Sequence, residues 1–164
     1  MRIYLVRHGK AADEGYPIDE HRPLTDDGRA LMRRTAKAWS KQKGPAPELW
    51  IVSPLVRAVQ TCEICVDAFS SDGPVIVSAD LEPEARVSNA ADLFSRGGYE
   101  AIAVVSHEPL MSELASHLLG LRYDGFKKGM VVAMERKAPG EAAKLRWILD
   151  PAKEDRDPKF REEP

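Results

Sequence analysis

The chain has 164 residues, 43% hydrophobic and 30% charged, with a formal net charge of −2. That size and balance fit one soluble globular domain that buries roughly 70% of its unfolded surface, and they speak against a nucleic-acid binder, which carries a strong basic excess. No apolar stretch approaches the ~20 residues that span a bilayer, and Arg7 and His8 break the first apolar run too early for a signal peptide. A cytoplasmic protein with no membrane partner is expected.

In chain order, Ile3-Tyr4-Leu5-Val6 reads as a buried strand that ends, unusually, in Arg7-His8-Gly9. A polar loop follows, then a helix in "DDGRALMRRTAKAWSKQKG", with Thr25 or Asp26 as N-cap and Gly44 as terminator. "ELWIVS" is a second buried strand, and Ser53-Pro54 opens the next helix as N-cap and N1. "PVIVSA" is a third strand. "SNAADLFSRGG" is a short helix capped by Ser88 or Asn89, and "AIAVVS" is a fourth strand that leads into the helix of "HEPLMSELASHLLG". "GMVVAMERK" and "AAKLRWIL" close the pattern as strands joined through Pro139-Gly140. Residues 1–150 form one domain in this reading, and the charged, proline-bearing tail 151–164 is expected to be loosely packed or disordered. Apolar strands alternating with helices predict a mainly parallel sheet covered on both faces, a three-layer α/β/α sandwich.

Cys62 and Cys65 form a lone C-x-x-C. A zinc site would need two further ligands, and the chain has no other cysteine. The pair falls about two turns into a helical pattern, where a redox pair would prefer the N-terminus. It reads as two small apolar residues on a helix.

Three strands end alike, in polar side chains. The first gives Arg7-His8-Gly9, the second brings Arg57 into the start of a helix, and the fourth gives Ser106-His107-Glu108-Pro109. A cation at a helix N-terminus opposes the helix dipole unless an anion lies between them. In a parallel sheet these carboxyl ends share one edge, so two arginines and two histidines converge on one crevice, where ligands of open α/β sheets bind. Planar guanidinium forks with helix-terminal N–H groups make a phosphate site. No P-loop motif is present.

"LVRHGKA", "RPLTDDG", "VSPLVRAVQT" and "VVSHEPL", in this order, resemble the histidine phosphatase superfamily and, within it, the small phosphohistidine phosphatases of the SixA type. The resemblance implies a phosphoglycerate-mutase-like fold. It also implies that His8 is a nucleophile that becomes phosphorylated, and that Arg7, Arg57 and His107 hold the phosphoryl oxygens. Residue chemistry is consistent with this: a neutral imidazole attacks phosphorus, cations stabilise the equatorial oxygens, and water releases phosphate. No metal or other cofactor is expected. Mutases and sugar-phosphate phosphatases of the superfamily commonly carry Glu or Gln after the triplet, where this chain has Lys10, and they carry lid insertions for which this chain is too short. An open cleft suits a phosphohistidine-bearing protein; a small phosphorylated ester or pyrophosphate, or a silent phosphate-binding module, is the alternative. Gly9, Asp19 and Glu108 are expected near the substrate, with Asp19, Glu82, Glu84 and Glu108 all candidates for the general acid. His117 is expected to pack on the helix face of Leu110 and Leu114. Nothing in the sequence sets the oligomeric state.

Overall fold

The computed structural model describes residues 1–13, 15–153 and 156–161. Arg2–Arg7 forms β1, the central strand, and its interior residues Ile3 to Val6 are buried. It is followed by α1 (Asp26–Ser40), β2 (Leu49–Val52), α2 (Val56–Phe69), β3 (Val75–Val77) and α3 (Val87–Asp92). The chain then forms β4 (Ala101–Ser106), α4 (Leu110–Leu119), β5 (Val131–Glu135), β6 (Lys144–Asp150) and β7 (Lys159–Arg161). The strands make one sheet in the order β3-β2-β4-β1-β5-β6-β7.

Alternate residues of each strand serve the two faces. Tyr4, Val6, Trp50, Val52 and Val105 pack against Met32, Ala36 and Trp39 of α1 and Ala58, Cys62 and Cys65 of α2. Ile3, Leu5, Ile51, Ile102 and Val104 pack on the opposite face against Ala90 of α3 and Leu110, Met111 and Leu114 of α4. The three-layer sandwich stands as expected.

The sheet is mixed rather than uniform. β1 pairs in parallel with β4, β4 with β2, and β2 with β3, whereas β5, β6 and β7 extend the other side of β1 in antiparallel pairs. The change has a simple cause: eight residues join β5 to β6 and eight join β6 to β7, fewer than a parallel crossover needs, so these neighbours run antiparallel.

Several boundaries depart from the sequence reading. Thr25 caps α1 as expected, its hydroxyl accepting from Gly28 N at 2.9 Å. Ser53 does not cap α2, which begins at Val56 behind Leu55; the Ser53 hydroxyl is engaged elsewhere. Ser88 and Asn89 lie inside α3, whose N-cap is Arg86. His117 is exposed, so it does not join Leu110 and Leu114 in the helix packing. The tail is not loose where it is described. Lys159–Arg161 pairs with β6, the Phe160 ring meets Trp147 edge-on at 5.3 Å, and Ala152 N donates to the buried Thr35 hydroxyl at 2.9 Å. A sheet edge carrying Trp147 gains from cover, and the tail provides it.

Cys62 and Cys65 are free and buried on α2, and burial pushes the Cys62 thiol up to about 12 and the Cys65 thiol higher still. Among the described residues, no helix is long and apolar enough to cross a membrane.

Candidate active site

Register brings the strand ends together. Arg7 lies opposite Ser106 across the β1–β4 pair, and Val52 lies opposite Val105 across β2–β4. Backbone bonds carry the alignment one residue further, from His8 N to Ser106 O and from Ser53 N to Val105 O, each 3.0 Å. The His8 and His107 rings consequently face each other with centroids 5.0 Å apart. Both are nearly enclosed, at 6% and 2% exposure, and Arg57 is only 4% exposed. The four residues singled out from three separate strands do share one site.

His8 is held in a single tautomer. Its Nδ1 lies 2.7 Å from the carbonyl oxygen of Gly9, which can only accept, so the proton sits on Nδ1 and Nε2 keeps its lone pair. Burial, reinforced by the charges of Arg57, Arg7 and Lys128, lowers its pKa to about 4 against the pull of the Gly9 hydrogen bond. Gly9 was expected to contact substrate. Its N–H is instead taken by the Thr61 hydroxyl at 3.1 Å, and its carbonyl by His8. A side chain at this position would bring Cβ within 2.6 Å of Met32 Cγ, so α1 packs directly on the glycine. Gly9 positions the histidine.

His107 has its own support. Its Nε2 lies 2.7 Å from the Ser53 hydroxyl, and burial, then the neighbouring His8 and Arg57, lowers its pKa to about 3. Ser53 and Thr61 were missed in the sequence. Ser53 resembled a helix cap, but it directly follows a buried strand that pairs with β4, which was the available signal. Thr61 stands one helical turn beyond Arg57 and donates to the Arg57 carbonyl at 2.7 Å while accepting from Gly9. It therefore ties α2 to the end of β1.

The two guanidinium groups are anchored at one end. Arg7 Nη1 donates to Phe126 O at 2.6 Å. Arg57 donates from Nη1 to the Asp19 carbonyl and from Nη2 to the Asp19 carboxylate, each 2.9 Å. Arg7 Nε, Arg57 Nε and His107 Nδ1 are buried without a partner. Buried polar groups are normally satisfied, and three of the five such atoms among the described residues belong to the residues around His8, the others being Arg2 Nε and Trp147 Nε1. Such a set suits an anion.

The acidic candidates separate. Asp19 sits in a 3-10 turn, Asp19–His21, and is shared between Arg22 and Arg57, which hold its carboxyl below the ordinary carboxylate range. An acid so paired stays ionised and is a poor proton donor. Glu82 and Glu84 line an open cleft with Asp19, Glu20, Leu55 and Pro83. Glu108 is half-buried beside His107. Its Oε1 accepts from the Ser112 hydroxyl at 2.9 Å, and burial raises its pKa despite that bond and the nearby Arg7. His21 is exposed.

Residues 3–84 match the model of the histidine phosphatase superfamily (branch 1). Over 121 residues the chain is 32% identical to the phosphohistidine phosphatase SixA of Escherichia coli (strain K12), covering 72% of this chain and 74% of that protein. The chain belongs to the histidine phosphatase superfamily. Among solved structures, the protein histidine phosphatase SixA complexed with tungstate superimposes with a TM-score of 0.82 at 28% identity, covering 90% of this chain and 96% of that one. Mycobacterial glucosyl-3-phosphoglycerate phosphatase Rv2419c, at 16% identity and a TM-score of 0.66 over 88% and 96%, shares the fold. As a member of this superfamily the protein is a phosphatase, and the convergence of His8, His107, Arg7 and Arg57 is where that chemistry has its candidate groups.

Proposed function

We propose that this phosphatase dephosphorylates phosphohistidine in protein, with His8 as its nucleophile. The observation that carries the reading is His8 itself: a neutral imidazole with Nδ1–H fixed on the Gly9 carbonyl and Nε2 unprotonated, ringed by the unpartnered donors of Arg7, Arg57 and His107. Nε2 attacks phosphorus, and the P–N bond to the substrate histidine breaks as the new one forms. Arg7 and Arg57 stabilise the charge spread over the equatorial oxygens. His107 assists through Nδ1, while the Ser53 hydroxyl holds its Nε2 and fixes the ring orientation.

Glu108 serves as the general acid. Asp19 is held low by two arginines, whereas burial moves Glu108 upward, so of the two Glu108 is the better matched to hand a proton to the departing imidazole. In the second step Glu108 takes a proton from the water that attacks phosphohistidine, releasing phosphate and restoring His8. The name of the Escherichia coli relative supports the substrate class, and the tungstate complex of the SixA structure supports a site for a tetrahedral oxyanion.

The test is a comparison of kcat/KM for a phosphohistidine peptide, a phosphoserine peptide and an aryl phosphate. The expected result is a clear preference for phosphohistidine, with an acid-labile, base-stable phosphoryl adduct trapped on His8. Preferred turnover of the esters would assign the site to small phosphomonoesters, and tight phosphate binding without turnover of any substrate would make it a binding module.

A further inference from the structure

The turn 127–130 has two sides. Its inner side closes the active site: Gly129 N donates to the carbonyls of Arg7 and His8 at 3.0 and 2.9 Å, and the charge of Lys128 is felt at the His8 ring. Its outer side borders a shallow pocket of about 110 Å³ lined by Lys127, Asp150, Pro151, Lys153, Arg156, Asp157 and Lys159. The pocket abuts the turn, since a side chain on Gly129 would come within 3.4 Å of Pro151 Cβ. It exists only because the tail folds back as β7.

The described lining of this pocket carries more cations than acids in a chain whose net charge is negative, with Glu154 and Asp155 following Lys153 in the sequence. Four of its lining residues are cations and two are acids. Asp150 is already shared between Lys127 at 3.1 Å and Arg161 at 2.7 Å, and Asp157 pairs with Arg34 at 3.3 Å. Lys153 and Lys159 are exposed and make no ion pair among the described residues.

We propose that this shelf binds an acidic side chain of the substrate protein close in sequence to its phosphohistidine. The inference rests on the phosphohistidine reading above. The pocket has room for one carboxylate and its waters, not for a second ligand. The turn separates it from His8, and an extended peptide advances about 3.3 Å per residue, so a glutamate a few positions from the phosphohistidine can step over the turn while the phosphoryl group enters the site. Charges at such a rim act mainly on encounter and orientation.

The experiment uses three phosphohistidine peptides, with glutamate-rich, neutral and lysine-rich flanks, together with free phosphohistidine. Each is assayed with the wild-type protein and with the double variant Lys153→Glu, Lys159→Glu. The wild type is expected to favour the glutamate-flanked peptide over the neutral one by about tenfold in kcat/KM, a preference erased by about 0.5 M salt. The double variant is expected to lose the preference while turning over free phosphohistidine like the wild type, which also shows that it folds. Equal kcat/KM for acidic and neutral peptides in the wild type, or a preference that survives in the double variant, overturns the proposal. Competition by a short-chain bisphosphate that far exceeds the acidic peptide, and that the double variant abolishes, reassigns the shelf to a second phosphate. Hydrolysis of an aryl phosphate with no turnover of any phosphohistidine compound fails the underlying reading instead.

Discussion

The two sides of β1 have different tasks. On the parallel side, β4 and β2 bring His107, Ser53 and, through α2, Arg57 and Thr61 to the end of β1. On the antiparallel side, β5 to β7 and the turn before them supply the Phe126 carbonyl that anchors Arg7, Lys128, and the basic shelf. The difference follows from chain direction. Strands that run the same way present all their carboxyl ends, and the N-termini of the helices that follow, at one edge. Antiparallel neighbours alternate their ends and cannot concentrate side chains in this way. One side gathers the candidate catalytic groups, and the other frames them.

Substitutions should therefore divide by side. His8→Ala is expected to abolish turnover, by on the order of 10⁴-fold or more, as for loss of a nucleophile. The fold should persist, because His8 lies beyond the strand core; circular dichroism and steady-state kinetics on one preparation check both points. Arg57→Lys keeps the charge but not the planar fork and should cost about 10²-fold in kcat, the size of losing one preorganised transition-state donor. Near-wild-type turnover would remove Arg57 from the machinery.

Ser53→Ala sharpens the same side at smaller scale. Freed from its 2.7 Å partner, the His107 ring should lose its fixed orientation, lowering kcat by about tenfold with KM little changed, the worth of one buried hydrogen bond. A change confined to KM would mean that Ser53 touches substrate rather than His107.

Acid should strike the parallel side first. His8 and His107 have folded pKa values of about 4 and about 3, below the ordinary histidine value. Between roughly pH 6.5 and 4 the unfolded chain takes up protons that the folded site refuses, so stability is full above that window and falls as pH drops through it. Denaturant melts at about pH 7 and about pH 4.5 should show a loss on the order of 5 kcal/mol, about 2.5 from each histidine, and so about half as large in His8→Ala. NMR of the His8 ring should show no titration near pH 6.5.

The smallest effect on catalysis belongs to the antiparallel edge. Phe160→Ala removes the ring that covers Trp147 and should cost about 2 kcal/mol of stability, as for a partly buried aromatic residue. Turnover of free phosphohistidine should be unchanged. Loss of activity at constant stability would mean that the edge reaches the chemistry.

The sequence alone determined the strand–helix alternation, the three-layer sandwich and the four side chains at His8, Arg7, Arg57 and His107. Those features are local: a short continuous apolar run marks a strand buried on both faces, and a polar residue that ends such a run stands out without knowledge of its neighbours. The tertiary structure decided everything that depends on a partner far along the chain. Ser53 read as a cap because Ser-Pro before a helix is one locally, and only the pairing of β2 with β4 places its hydroxyl on His107. Gly9 read as a substrate contact, yet α1 and Thr61 enclose it behind His8. Among the acids, Asp19, Glu82, Glu84 and Glu108 were equivalent as letters. They became distinct once Arg22 and Arg57 reached Asp19 and burial raised Glu108, because the pKa of a carboxyl is set by its surroundings and not by its type. The tail, charged and rich in proline, gave no periodicity to read, and it became a strand only because β6 left an edge and Trp147 a surface to cover.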